Sequence, residues 1–281
     1  MEYQDFSNLN TYPIEKELAK EMMLRNHYSH KWNFAFGAVN VGIMDEKGLL
    51  LGCAVFGNAM NHKAWHSITN TPGERCIELN RLWIDDCLKS NTETWLLSRS
   101  FKILRERGFE LVQSFADGRL GVGTTYQAAN FSYHGFSKTM FQKHIETGET
   151  YHNVQFTNTA NPRGMVWRNV MHAKGLLETF EVRTYRYLYP LNKRAKKNIK
   201  LKQLPYPKER VGEQFIEDYV PPFAQIARAA ALANALKQFE ERDLLYSYLV
   251  SLTGSVKDTN SFIREQQENR WVARLCAGRV F

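Results

Sequence analysis

Seven polar residues fall where predicted strands give way to predicted helices between positions 78 and 130: Glu78, Asn80, Arg81, Asp117, Tyr126, Gln127 and Asn130. In a mostly parallel α/β layer, such junctions are where ligands bind. Arg81 is either a bidentate anchor for a phosphate or carboxylate or the structural partner of a carboxylate such as Asp117. Glu78 lies three residues before Arg81, on the opposite face of a regular strand, so the two are not expected to pair. Asp117 precedes Gly118; it either orients an amine or ligates a metal, or it starts an Asx-turn. Tyr126 acts as an acid or stacks on a base, or it is a half-buried core aromatic. Gln127 contacts a ligand or closes a capping box. Asn130 reads an adenine edge through a bidentate contact or caps a short helix. Gly121 and Gly123 let the backbone approach a ligand, or they serve turn chemistry.

His27 and Tyr28 follow the first predicted helix. An imidazole moves protons near neutral pH, and a neighbouring tyrosine donates a hydrogen bond or stacks on a base. The plainer alternative is that His27 caps the C-terminus of that helix, where a cation is favoured. His62 and His66 have helical ligand spacing but sit in a predicted loop with no third ligand nearby, so they read as surface histidines. Tyr185, Tyr187 and Tyr189 alternate on a strand and read as sheet packing.

The elements that must position these groups follow from periodicity and punctuation. Pro13 to Arg25 reads as a helix with Ile14, Leu18 and Met22 on one stripe. Phe34 to Met44 and Leu49 to Phe56 read as strands around Asp45-Glu46-Lys47-Gly48. Cys76 to Ile84 is a strand. Ser90 and Glu93 form a capping box for a helix ending before Gly108, with Leu97, Phe101 and Leu104 inward. Phe109 to Phe115 is the next strand. Thr124 and Gln127 form a second capping box for a short helix through Asn130. Tyr133 to His144 pairs with Tyr151 to Thr157, and Phe180 to Tyr189 is the last strand. Pro205 to Pro222 reads as a linker or arm. Phe223 to Leu252 reads as one long helix, and Asn260 to Leu275 as another. The order predicts an α/β fold, a mixed sheet with helices on both faces.

With 281 residues the chain allows one large domain, or one domain with an appendage. The expected division is a catalytic domain over 1–204 and a linker with a helical extension over 205–281. The net charge is +8. It concentrates between Lys193 and Arg210, where eight basic residues face one acid, Glu209. Such a block is either a solvated linker or the footprint of a polyanion. Lys193, Arg194, Lys196, Lys197, Lys200 and Lys202 are the expected contacts to a nucleic-acid backbone, which the resemblance given below makes a DNA backbone. Cys53, Cys76, Cys87 and Cys276 have spacing that suits neither a zinc site nor a disulfide framework. A reducing cytoplasm is the expected compartment. The N-terminus has no signal pattern, and no apolar run spans a bilayer.

The chain resembles a known family. Asn26-His27-Tyr28, Gly52-x-x-x-Phe56-Gly57, Glu78-Leu79-x-Arg81-Leu82, Asn91-x-Glu93-Thr94 and Phe115-Ala116-Asp117 carry the resemblance. So does Gly123-Thr-x-Tyr126-Gln127-Ala-x-Asn130-Phe-x-Tyr133-x-Gly135. In order and spacing these resemble the Mom family of phage DNA-modification proteins over residues 13 to 190. The element order looks like the N-acetyltransferase (GNAT-like) fold, a splayed mixed sheet flanked by helices.

The resemblance implies transfer of a carbamoylmethyl group from a small-molecule donor to the exocyclic N6 of adenine in double-stranded DNA. It implies protection from restriction, in the cytoplasm of a bacterial host and from a phage or prophage. It makes His27, Tyr28, Asp117 and Tyr126 the catalytic candidates. Glu78, Arg81, Asn91, Gly121, Gly123, Gln127 and Asn130 become the substrate-binding candidates. For the family, both an acyl-CoA type donor and bound iron are considered. No glycine lies between Arg81 and Arg107, so the usual pyrophosphate loop of acetyl-CoA users is missing. Glu93 also puts negative charge in the first helical turn. Two other readings stay open: an acyltransferase acting on a protein or small amine, and a DNA-binding protein without catalysis. The metal and the oligomeric state are left open.

Overall fold

The computed structural model describes residues 6–59, 62–157, 162–235 and 239–268. In chain order its elements are β1 (Leu9–Pro13), α1 (Lys16–Asn26), β2 (Val39–Asp45), β3 (Leu50–Gly57), α2 (Trp65–Ile68), β4 (Cys76–Ile84), α3 (Thr92–Glu106), β5 (Leu111–Asp117) and α4 (Thr124–Ala128). They continue with β6 (Ser132–His144), β7 (Thr150–His152), α5 (Val154–Thr157), α6 (Pro162–Ala173), β8 (Leu177–Pro190), α7 (Lys193–Asn198), β9 (Gln214–Ile216), α8 (Phe223–Ala235), α9 (Phe239–Thr253) and α10 (Val256–Glu268).

Two compact units result: Met1–Ser137 with Arg183–Gly212, and Lys138–Val182 with Glu213–Phe281. This division differs from a single break at 204. β6 and β8 each run from one unit into the other.

The first unit is a mixed sheet in the order β1-β2-β3-β4-β5-β8-β6. β4 and β5 are its parallel pair, and they stay together only from Cys76–Leu111 to Leu79–Ser114. Beyond that point β4 continues to Ile84 against β3, while β5 continues to Asp117 against β8. The two strands therefore part at their C-terminal ends. That is the splay expected of an N-acetyltransferase-like sheet, and it opens a cleft in an otherwise continuous layer.

Leu96, Leu97, Phe101 and Leu104 of α3 are buried. They pack with Val41, Ile43, Ala54, Phe56, Ile77 and Val112 into one core cluster. The inward stripe of α3 was legible from its spacing. Its entry was not: Asn91 starts the helix at φ +70° with no side-chain cap. Thr92 Oγ1 turns back to Lys89 O at 2.6 Å, so the Ser90–Glu93 capping box does not form. Gly123 likewise starts α4 at φ +83° without a side-chain cap, so the Thr124–Gln127 box is absent too.

In the second unit, α6 packs with α8 and α9, and α10 packs on α8 and α9, around a cluster that includes Met165, Val166, Val170, Ile226, Ala230, Leu232, Leu245 and Leu249. The expected single helix from Phe223 to Leu252 is two, α8 and α9. The stretch from Asn260 belongs to α10, which starts at Val256; residues 269–281 lie outside the described residues. Of the strand expected over Tyr151 to Thr157, only Tyr151 and His152 lie in β7 before α5 begins. The strand expected from Phe34 starts at Val39, because residues 28–38 form a loop folded back on β3.

Among the described residues, no helix is long and apolar enough to cross a membrane. Cys53, Cys76 and Cys87 are unbridged; Cys276 lies outside the described residues.

Candidate active site

The cleft is lined by β4 and β5, by the end of α1, and by α4. β4 supplies Glu78 and Arg81. They share a face because the β3–β4 register skips Asn80: Val55 pairs with Arg81 and Phe56 with Leu79. A bulge adds one residue and reverses the side-chain alternation beyond it. The expectation of opposite faces held for a regular strand and fails here for that reason.

Glu78 sits in a chain of amide contacts. Gln113 Nε2 donates to its Oε2 at 3.1 Å, and Asn80 Nδ2 to its Oε1 at 3.1 Å. Arg186 Nη1 donates to Gln113 Oε1 at 2.8 Å. Burial raises the Glu78 carboxyl above the usual range; those hydrogen bonds and the positive charges of Arg186 and Arg81 hold it back.

Arg81 lies over the Phe36 ring, 4.6 Å from its centroid. Its Nη1 donates to Asn80 O at 2.6 Å, and its Nε is buried without a partner. No carboxylate lies within ion-pair distance of Arg81 among the described residues. Its electrostatic neighbours are Tyr28, Tyr126 and Glu78. A planar cation with a spare donor, facing two phenols, is equipped to receive an anionic or carbonyl oxygen.

His27 ends α1, its backbone N–H reaching Met23 O. It is buried, and burial first, then the Arg81 charge, lowers its pKa to about 4. The Ser29 backbone N–H donates to Nδ1 at 3.2 Å, which leaves the imidazole proton on Nε2. His27 is therefore a neutral donor at physiological pH, neither the cationic cap nor a group titrating near neutrality. The Tyr28 ring sits 4.3 Å from it. Tyr28 remains 56% exposed. Burial of its hydroxyl and the negative charge of Asp117 raise its pKa.

Asp117 ends β5. Arg119 grips it with Nε to Oδ1 at 3.1 Å and Nη2 to Oδ2 at 2.6 Å. The Arg119 backbone N–H also donates to Oδ1 at 2.9 Å, so the Asx-turn is present. The partner of Asp117 is Arg119, not Arg81. Tyr126 of α4 packs against Phe131 and Tyr187 while its hydroxyl faces Ser114, Tyr28, Arg81 and Glu78. Burial raises its pKa, so it stays protonated.

His27, Tyr28, Glu78, Arg81, Asp117 and Tyr126 thus meet around one cleft. Other candidates do not join them. Asn91 is exposed at the entry of α3. Gly121 has open space around it, and Gly123 is packed tightly: a Cβ there would lie 2.6 Å from Tyr187. Gln127 Nε2 is taken up by Tyr187 Oη at 3.1 Å and by the carbonyls of Val122 and Pro207. Asn130 lines a separate cavity of about 580 Å³ with Ser132, His134, Tyr189, Lys193 and Lys196. Tyr189 and Pro190 pair with Val112 and Leu111, so this cavity sits at the end of the sheet opposite the cleft. Lys193, Arg194, Lys196, Lys197, Lys200 and Lys202 are exposed. The first four lie on α7, which Asn192 caps through Ala195 N at 2.7 Å.

Four residues of the site were missed: Gln113, Ser114, Arg119 and Arg186. The first two carried a signal. A central strand beside a parallel neighbour reads as nearly continuous apolar sequence, and Leu-Val-Gln-Ser-Phe-Ala breaks that run with two adjacent polar residues.

Neither cofactor considered for the resemblance finds a fit here. Among the described residues, no group of three or more His, Cys, Asp or Glu side chains is placed to hold a metal ion. The entry of α3, where a CoA diphosphate would dock, has no glycine and carries Glu93 in its first turn.

Residues 8–208 match the Mom protein family. The chain is 32% identical over 202 residues to the "Methylcarbamoylase mom" of Escherichia phage Mu, covering 68% of this chain and 80% of that protein. Among solved structures it is similar to an N-acetyltransferase from Staphylococcus aureus Mu50 (14% identity, TM-score 0.38, 66% of this chain and 100% of that one). It is also similar to the spermidine/spermine N-acetyltransferase SpeG from Vibrio cholerae (9% identity, TM-score 0.39, 68% and 97%). At those scores the solved structures add nothing to the strand topology described above.

Proposed function

The chain belongs to the Mom protein family, and from that membership we propose that it is a transferase modifying adenine in DNA. In this reading it places a small group, carbamoylmethyl as the resemblance implies, on the exocyclic amine, and the product resists host restriction. The observation that carries the reading is the convergence of Glu78, Arg81, Tyr28 and Tyr126 where β4 and β5 part.

The target amine is hidden in a duplex, so the base must leave the stack and enter the cleft. Tyr28, half in water, offers a ring for the base to lie on. The amine nitrogen bonds to the donor carbon as the bond from that carbon to its carrier breaks, the electron pair leaving with the carrier, and the nitrogen releases a proton. Glu78 is the acceptor suited to it, because burial raises its proton affinity. Arg81 holds the donor oxygen through its guanidinium, which has no carboxylate partner among the described residues. Tyr126, kept protonated by burial, donates to the departing group. Asp117 fixes Arg119 at the mouth, and the Nε2 proton of His27 orients the base or donor. The lysines of α7 hold the phosphate backbone away from the cleft.

The test is mass spectrometry of nucleosides from the DNA of bacteria expressing the protein. The wild type should yield a modified deoxyadenosine that is missing with Asp117→Ala and with Tyr126→Phe. Unmodified DNA in all three strains defeats the reading; normal modification by both variants defeats the site.

A further inference from the structure

Phe34 is 84% exposed, more than any other large apolar residue described. A lone surface phenylalanine needs no explanation, but this one is held out on a rigid support. Asn33 Oδ1 accepts from Ala35 N at 3.1 Å, and Asn33 O from Phe36 N at 3.1 Å. Ala35 O accepts from Asn58 N at 2.9 Å. Ala35 and Phe36 are both buried. The turn fits against β3 only because position 57 is glycine: a Cβ there would lie 2.2 Å from Ala35 O and 2.9 Å from Phe36 Cα. Phe36 in turn lies under the Arg81 guanidinium. A fixed pedestal thus presents one phenyl ring to water, two residues from the ring that supports the arginine of the cleft.

Two other exposed side chains lie on loops that carry site residues. Tyr28 begins the same loop, and Leu120, 60% exposed, follows Arg119 on the loop that leaves β5. Lys31, exposed three residues before Phe34, puts a positive charge on the same loop, while Arg119 is paired with Asp117. Apolar tips set among cations suit a surface that enters a base stack while cations meet the flanking phosphates.

We propose that Phe34 is a wedge that enters the base stack of duplex DNA and fills the gap left as the target base swings into the cleft. The proposal rests on the reading that the cleft acts on a base. It gives Phe34 a positioning role: it touches the neighbouring bases and not the reacting atoms. The ring replaces stacking that the extruded base gives up, so its loss should matter only where stacking has to be broken.

The test compares plasmid duplex with the same DNA heat-denatured to single strands. Purified full-length protein is supplied with the small-molecule fraction of a bacterial lysate, and modified deoxyadenosine is counted by mass spectrometry. Phe34→Ala should lower duplex modification about tenfold or more, yet stay within about twofold of wild type on denatured DNA. Phe34→Trp should restore the duplex rate. Equal loss on both substrates, or no loss on duplex, overturns the wedge while the functional reading stands. So does a wild type that modifies duplex but not free strands, because an already unstacked base should be the easier substrate. A wild type that modifies neither DNA removes the functional reading, and the wedge with it.

Discussion

Glu78 and Arg81 face the same cleft from positions three apart on one strand, because the bulge at Asn80 turns the alternation of β4 between them. An acid and a base are thereby brought to one opening without closing into an ion pair. Arg81 leans on Phe36, and Glu78 is satisfied by two amides. Each keeps capacity for a ligand.

Arg81→Lys retains the charge but loses the planar stack on Phe36 and the fork of donors. Modification should fall about tenfold or more, with the thermal midpoint close to wild type. Single-turnover rates beside melting curves check this; an unchanged rate would show that charge alone suffices at this position.

His27 is held neutral, with its pKa lowered to about 4 from 6.5. A lowered histidine pKa means that the unfolded chain binds the extra proton first. Stability is therefore lost as pH falls from about 6.5 towards 4, by up to about 3 kcal/mol from this group. His27→Gln should lose less stability than wild type across that window and show no difference in slope above it. Denaturant melts at intervals of pH give the comparison.

Gly123 and Gly121 should respond differently to alanine. At position 123 the backbone has φ +83° and the added carbon meets Tyr187 and Ala116. A cost of about 1–3 kcal/mol is expected there, and less than about 0.5 kcal/mol at the open position 121. Urea denaturation distinguishes them; equal effects would remove the packing account.

Lys193, Lys196 and Lys197 are exposed on α7. Replacing all three by alanine should weaken DNA binding and flatten the slope of log affinity against log salt by about 0.9 for each phosphate no longer neutralised. Titrations at several salt concentrations measure it. An unchanged slope would make the basic block an ordinary solvated segment.

The strands and α3 were legible because their apolar spacing is regular, and Asp117 and Tyr126 stood out because they sit where a strand ends and a helix starts. What escaped was local. Asn91 and Gly123 start their helices in the left-handed region, so Ser90 and Thr124 never act as caps. Gln127 looked like a binding residue but anchors Tyr187, on a strand sixty residues further along. The bulge at Asn80 did leave a mark, since the apolar positions of β4 change phase from Ile77 and Leu79 to Leu82 and Ile84, but that mark becomes a bulge only once the register with β3 is seen. The pairing of Asp117 with Arg119 is short-range, yet Arg119 reads as one more loop cation until its geometry is seen.

The family match stops at residue 208, but the greasy side of α6, inside that match, is covered by α8 and α9, beyond it. A fragment trimmed to the recognisable portion would leave Met165, Val166 and Val170 wet. Such a fragment should be sticky and poorly behaved, so anyone shortening the gene for convenience should expect clumping rather than a tidy minimal enzyme.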